Sequence, residues 1–455
     1  MPTQSIIVQV GQCGNQIAHQ FWKMAKQEFD QEPTDSFFDL VENKNNKNAC
    51  PLPKARAVLI DTEESVVNRV LTSSKLYNNN CKITDNSGAG NNWAVGHYEY
   101  FPTHQENILE ILRREAEKCD YLQSIFVLNS TGGGTGSGLG SAVCKILPDV
   151  YPESELFSFP VYPNKKAHDV ITGPYNTLLA TNVIQNSMHC VLPFDNLGLE
   201  DHIKLEFKSE ILMKKSSQRL GSVDQTTKNL STNKQGYDKM NSIIAKCILD
   251  ITAHTRFRGP LNVDINEIPT NMIPFQNMNY LTVNSTLINK QHIKTAFSQG
   301  FSKNLNSSIN LNSGVFMTAC ALLRSKKYDL EELKTCISHV KKLMKFPVWS
   351  LDSWKIGLTS HVGHDSVGQS SQKIDSLTSL TNSTATSDFL DFLRADFQNL
   401  FKRKAHLHHY FRVDGMEIDE FRQANENIRV VADCYKDVAE NWREVSDFDS
   451  LLTVF

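Results

Sequence analysis

Through its first two hundred residues the chain alternates short apolar runs with stretches of helical period, the pattern of an α/β sheet. Ser5–Val10 reads as a strand followed by a helix from about Asn15 to Glu28. Arg56–Ile60 reads as a second strand ending at Asp61, and Ile108–Cys119 as an amphipathic helix with Ile108, Leu112 and Ala116 on one stripe. Ile125–Asn129, Leu156–Tyr162 and Cys190–Leu192 supply three more strands. A polar or glycine-rich residue stands just past nearly every strand: Gly11-Gln12, Asp61, Ser130 onward, Asp169 and Asp195-Asn196. That edge of an open α/β sheet is where ligands bind, so these loops predict one shared site.

The second half follows a different rhythm. Residues 208–235 are polar and turn-prone and predict an inserted loop. Tyr237 to His254 has the apolar content of a buried connecting helix. A mixed unit follows, with strand-like Val315–Leu323 and Lys355–Leu358, and its Ser/Thr-rich stretch from His361 to Ser387 reads as a long loop. Phe389 to Lys404 and Glu417 to Val438 predict a helical hairpin. The division expected is 1–236 (with the 208–235 insertion), a core helix at 237–258, an intermediate domain at 259–387 and a helical domain at 388–455.

Composition narrows the class. The chain has 455 residues, enough for a large core in more than one domain, and a net charge of −3 without the basic footprint of a nucleic-acid binder. No apolar run approaches the roughly 20 residues needed to span a bilayer. The start, Met1-Pro2-Thr3-Gln4, lacks the basic region of a secretory leader, and a cytoplasmic protein is expected. Ten cysteines are scattered singly without metal-ligand spacing, predicting reduced thiols.

The most informative stretch is Gly132-Gly133-Gly134-Thr135-Gly136-Ser137-Gly138, between an apolar strand and the helix-like run Leu139 to Leu147. So few Cβ atoms let backbone approach a ligand, and converging N–H groups with a helix N-terminus suit a phosphate chain. It contains neither Gly-x-x-x-x-Gly-Lys-Ser/Thr nor Gly-x-Gly-x-x-Gly. The competing reading is a surface loop without a ligand.

Here the chain resembles the tubulin superfamily over nearly its whole length. The glycine loop, Gly11-Gln12-Cys13-Gly14-Asn15-Gln16, Gly88-Ala89-Gly90-Asn91-Asn92-Trp93-Ala94-Val95-Gly96-His97, Gly173-Pro174-Tyr175-Asn176, Asn262-Val263-Asp264-Ile265-Asn266-Glu267 and Gly415-Met416-Glu417 carry it, in order. The resemblance implies an α/β fold: a parallel-sheet GTP-binding domain, a core helix, a mixed intermediate domain and a C-terminal helical hairpin. It implies GTP or GDP with Mg2+ as cofactors and other tubulins as longitudinal partners.

Carried over residue by residue, Gly11, Gln12, Cys13 and Gln16 would meet phosphate and base at the first strand–helix turn. Asp61 and Glu63 would sit beside the metal and γ-phosphate, with carboxylate oxygens suited to a hard cation. Asn91 would donate on the γ-phosphate side, and Ser130, Gly133, Gly134, Thr135 and Gly136 would wrap the diphosphate. Asp169 resembles the ribose-binding acid, Asn196 and Asn241 the guanine-reading amides, and Tyr237 the residue stacked on the base.

Glu267, with Asp264, matches the α-type pattern, in which an acidic residue acts on the nucleotide of the next subunit. The resemblance therefore makes Glu267 a catalytic residue in trans, suited to orient an attacking water, and leaves the chain itself at most a slow, partner-dependent GTPase. The plain alternative is an exposed helix glutamate. His406, His408 and His409 are expected on a partner-docking helix rather than at a metal, and Lys402-Arg403-Lys404 at a solvated helix end.

The chain departs from α- and β-tubulin in several places. The segment between Asn196 and Tyr237 is longer by roughly twenty residues, well beyond an ordinary connection. The lateral-contact segment before Ala296-Phe297 is shorter by about ten residues, which removes contact area. The chain shows no acidic tail, ending Leu451-Leu452-Thr453-Val454-Phe455, and Gly173 stands in place of a glutamate. Ala55–Asp61, Asn92–His97 and Asp169–Asn176 look most like the epsilon class, implying a role with centriole and basal-body proteins in triplet microtubules. Delta- and gamma-type tubulins, or a divergent α-like subunit of ordinary microtubules, are the alternatives.

Overall fold

The computed structural model describes residues 3–41, 52–78, 80–164, 170–204, 233–288, 293–302, 304, 306–364 and 373–443. Most of the insertion at 208–235, Asp169 and the C-terminal residues 444–455 lie outside them.

A seven-stranded sheet organises the N-terminal half. In chain order its strands and a neighbouring hairpin are β1 (Gln4–Val10), β2 (Phe38–Val41), β3 (Leu52–Ala55), β4 (Ala57–Ile60), β5 (Lys82–Ile83), β6 (Leu122–Ser130), β7 (Glu155–Tyr162), β8 (Cys190–Val191) and β9 (Phe194–Asp195). The spatial order is β5-β4-β1-β6-β7-β8, with β9 also on β7, all parallel, while β2 and β3 pair only with each other. Parallel strands need crossovers and cover on both faces. Accordingly Ile6, Val8 and Val10 pack in one apolar core and Ile7 in the other, the two-residue alternation of a strand buried on both sides. Helices Gly11–Phe29 and Glu64–Ser73 fill one side; Phe101–Ala116, Gly140–Val150 and Gly173–Ser187 fill the other.

The core helix runs Asn233–Arg256, opening four residues before the expected start and so ending the predicted loop early. Ile243, Ile244, Ala245, Cys247, Ile248, Leu249 and Ile251 are all buried, because the helix lies between the helix Gly11–Phe29 and a second sheet. That sheet joins β10 (Thr282–Leu287), β11 (Phe316–Arg324), β12 (Trp354–Thr359) and β15 (Ser376–Ser383) in the order β10-β15-β11-β12; β13 (Gly363–His364) and β14 (Lys373–Ile374) form a separate hairpin.

The expectation of a long loop from 361 to 387 is corrected by β15, a fully buried strand at the centre of that sheet. Its hydroxyls and amides are spent inside the protein. The Thr381 and Thr282 hydroxyls lie 2.6 Å apart, Ser379 donates to the Gly300 carbonyl at 2.6 Å, and Asn382 donates to that of Met278 at 2.7 Å. Ser/Thr content reads as loop only when those groups face water.

The C-terminal hairpin, Thr386–Phe401 and Ile418–Asn441, packs on Gly173–Ser187. Tyr175 is its aromatic anchor, meeting Phe397, Tyr410 and Phe421 edge-on at 5.3–5.7 Å.

Charge ties the layers together. Glu28, at the end of the first helix, pairs with Arg256 and Arg324 at 2.7 Å each, and Arg324 pairs with Asp250 at 2.8 Å. Lys246 also pairs with Asp250, and the side chains of all five residues are buried. Among the described residues no helix is long and apolar enough to cross a membrane.

Candidate functional site

The loops at the C-terminal edge of the first sheet enclose a cleft of about 440 Å3. Gln12, Cys13 and Gln16 enter it from the helix after β1, and Asp61 and Glu63 from the turn after β4. Asn91, Ser130 and the glycines form one wall. Asn196 lies just past β9, and Tyr237 and Asn241 reach in from the core helix.

The glycine loop is shaped by two separate demands. A Cβ on Gly136 would stand 2.6 Å from the Ser130 hydroxyl, and one on Gly134 would stand 2.7 Å from the Asn92 nitrogen. Gly138 lies directly against the Trp93 carbonyl. Those glycines are required by packing. At Gly133 an added Cβ meets only the Asn91 side-chain oxygen, at 3.9 Å, so its bareness serves the cleft. The chain then winds through a wide π-type turn, Thr135–Leu139, a form found often at functional sites. The Asn129 amide donates to the Gly136 carbonyl at 2.9 Å, Ser137 donates to that of Gly133, and the Thr62 and Thr135 hydroxyls lie 2.7 Å apart.

Gly11, at φ +72°, does not line the cleft. It backs the loop, its Cα position leaving a Cβ only 3.1 Å from the Gly136 nitrogen. Asn15 holds this turn by donating to the Gly11 carbonyl at 2.9 Å and that of Ile60 at 3.2 Å.

Burial pushes the Asp61 carboxyl up to about 6, against the weaker pull of backbone N–H groups. One of its oxygens is buried and makes no hydrogen bond among the described residues, with exposed Glu63 two residues on. A buried carboxylate oxygen without a donor, beside a second carboxylate, fits a hard divalent cation. Burial also pushes the Cys13 thiol up to about 12, so it meets a ligand as a neutral thiol.

Of the predicted binding residues, all but Gly11 and Asp169 line this one cleft, and Asp169 lies outside the described residues. The sequence reading misses its apolar walls, among them Val66, Leu199, Met240 and Ile244. Met240 and Ile244 follow Tyr237 at helical spacing, so the face that carries Tyr237 and Asn241 already implied them. Gly173 lines the cleft with open space at its Cβ position.

Asp264 and Glu267 are not in the cleft. The Gln123 amide donates to Asp264, and Gln123 stands near the start of β6, whose other end is Ser130. At ~3.3 Å per strand residue the two ends are roughly 23 Å apart. Glu267 opens the short helix Glu267–Met272, accepts from the Asp264 N–H at 3.3 Å and is paired with Lys355, whose hydrogen bond holds its carboxyl below the usual range. Its side chain is 37 % exposed, so it is neither buried nor a bare surface glutamate.

Lys402, Arg403 and Lys404 are exposed at the end of the helix Thr386–Phe401. His408 and His409 sit on the turn Leu407–Tyr410, and among the described residues no group of three or more His, Cys, Asp or Glu side chains is gathered as a metal site would be. Among the described residues nine cysteines are free thiols.

Residues 4–204 match the model of the Tubulin/FtsZ family, GTPase domain. The chain is similar to the tubulin epsilon chain of Mus musculus, 38% identical with 96% of each chain covered, and to that of Homo sapiens, 38% identical with 93% of each covered. It is also similar to beta-tubulin at 65B of Drosophila melanogaster, 29% identical over 96% of this chain and 91% of that one. With this likeness from end to end, a glycine-loop cleft in the right place and a GTPase domain that takes GTP or GDP, the chain belongs to the tubulin family.

Proposed function

We propose that this chain is an epsilon-type tubulin that acts at centrioles and basal bodies in making or maintaining triplet microtubules. The observation that carries the reading is the gap between 38% identity to epsilon chains and 29% to a beta-tubulin, over the same extent of chain. The shortened lateral segment supports it, since lost contact area weakens incorporation into an ordinary lattice. Other tubulins are the longitudinal partners in this reading.

In the cleft, Asn196 and Asn241 read the guanine edge, Tyr237 stacks on the base, and Ser130 with the glycines Gly133 to Gly136 cradles the phosphates. Gln12, Cys13 and Gln16 close the floor and Asn91 the γ-phosphate side, with Asp169 on the ribose. Asp61 and Glu63 hold Mg2+, which neutralises phosphate charge when bound. Glu267 acts in trans, orienting water on the nucleotide of the subunit it contacts, with Asp264 positioning its loop. The half-exposed carboxylate, on the face far from the cleft, supports that role.

A divergent α-like, delta- or gamma-type subunit that joins or nucleates ordinary microtubules is the second reading; the acidic pair Asp264 and Glu267 favours it. Depleting the protein in ciliated cells separates the two. Centriole cross-sections reduced from triplets to fewer tubules support the proposal. Intact triplets with a depleted interphase array support the alternative.

A further inference from the structure

Asn176 lies one turn into the helix Gly173–Ser187, fully buried, and all four of its hydrogen-bonding positions are filled. Its amide donates to the carbonyls of Asn91, at 2.8 Å, and Gly132, at 2.9 Å. Its oxygen accepts from the Trp93 N–H at 2.9 Å and from the Tyr410 hydroxyl at 2.5 Å. One side chain thus joins two of the loops that face the cleft to the C-terminal helical unit, residues 83, 44 and 234 positions apart.

The Asn91 loop needs such a clamp. Asn91 is exposed and has φ +54°, a conformation that side chains other than glycine adopt at a cost, and Thr172 donates to the same Asn91 carbonyl at 2.9 Å. The outer side of that loop forms a second concavity, of about 660 Å3, with His406, His409 and Arg412 on its far wall. The Asn92 amide reaches across to the His409 carbonyl at 3.1 Å. The loop is therefore a partition between the cleft and an outer surface, and Asn176 with Tyr410 is the bolt through it.

From this geometry we infer that Asn176 is a positioning residue. It sets Asn91 against the glycine loop for the terminal phosphate and, through Tyr410, couples occupancy of the cleft to the surface at residues 405–413. The inference rests on the proposed placement of the γ-phosphate beside Asn91. A terminal phosphate that draws Asn91 inward pulls on Asn176, and Tyr410 moves with it. A diphosphate leaves the partition slack.

Two variants test this. Asn176→Leu keeps nearly the same volume and removes all four bonds; Tyr410→Phe removes one. Affinities for GTP and GDP are measured by titration and local opening by amide hydrogen exchange. Wild-type protein protects both 88–93 and 405–413 more with GTP than with GDP. Asn176→Leu weakens GTP at least about tenfold and GDP much less, and speeds exchange at 88–93. Tyr410→Phe leaves both affinities within about twofold but abolishes the GTP-dependent protection at 405–413. Equal loss of GTP and GDP affinity with a fall in thermal midpoint would make Asn176 a packing residue. Retained protection in Tyr410→Phe would overturn the coupling. Wild-type protein that binds no guanine nucleotide would instead sink the reading of the cleft itself.

Discussion

Lys355 grips the carboxylate of Glu267 on the face of the molecule far from the glycine-loop cleft. A carboxylate so placed has no route to the cleft of its own chain, and the lysine's hydrogen bond favours its ionised form. Glu267→Ala is expected to leave this chain's own nucleotide turnover unchanged and to slow hydrolysis in the partner beneath it by about a hundredfold or more. Single-turnover assays on the isolated chain and on the complex distinguish the two. An unchanged partner rate would leave the Lys355 pair with a purely local role.

The glycine loop makes opposite predictions for neighbouring positions. Gly138→Ala drives a methyl into the Trp93 carbonyl and is expected to destabilise the fold by about 2 kcal/mol, seen as an earlier denaturant midpoint. Gly133→Ala meets only Asn91 at 3.9 Å, so stability holds while the methyl intrudes on the phosphates and nucleotide affinity falls. Equal effects at both positions would contradict this division of labour.

The buried charge network sets the response to acid. Burial favours neutral Glu28, but the charges and hydrogen bonds of Arg324 and Arg256 outweigh it and hold the carboxyl down at about 2. Asp250, buried beside Lys246 and Arg324, is likewise held at about 2. Both folded values lie below the unfolded ones, so their stabilisation is complete above the ordinary carboxylate range near ~4 and is lost as pH falls toward ~2. Glu28→Gln is expected to cost about 3 kcal/mol at neutral pH, because it leaves two buried guanidinium groups short of charge, and to flatten the acid limb of the stability curve. Urea titrations from pH 7 downward measure both.

Tyr237 is half out of the cleft, 45 % exposed. Tyr237→Ala therefore removes little packing, and a loss of nucleotide affinity of roughly tenfold would report base stacking directly. Calorimetric titration with GDP checks it; unaltered affinity would place the base elsewhere.

The cleft was legible because most of its polar residues closely follow a strand or sit on one face of the core helix, so order along the chain maps onto position in space. Asp61, Ser130, Asn196 and Asn241 are found where that rule sends them. The strand β15 was not legible, since Thr378, Ser379, Thr381 and Asn382 look like loop residues until their partners on β10 and in the helix Ile293–Ser302 are known. Nor was the role of Glu28, whose partner Arg324 lies 296 residues away. No local pattern carries a pairing at that separation. Asn176 lay within a quoted motif, yet its four partners belong to three distant segments and only the folded chain brings them together.

The central claim is that this tubulin works at the centriole, and localisation of a tagged copy tests it most directly. In dividing, ciliated cells with microtubules counterstained, the account predicts signal confined to centrioles and basal bodies. Signal along the whole microtubule array would contradict it and identify a lattice subunit instead.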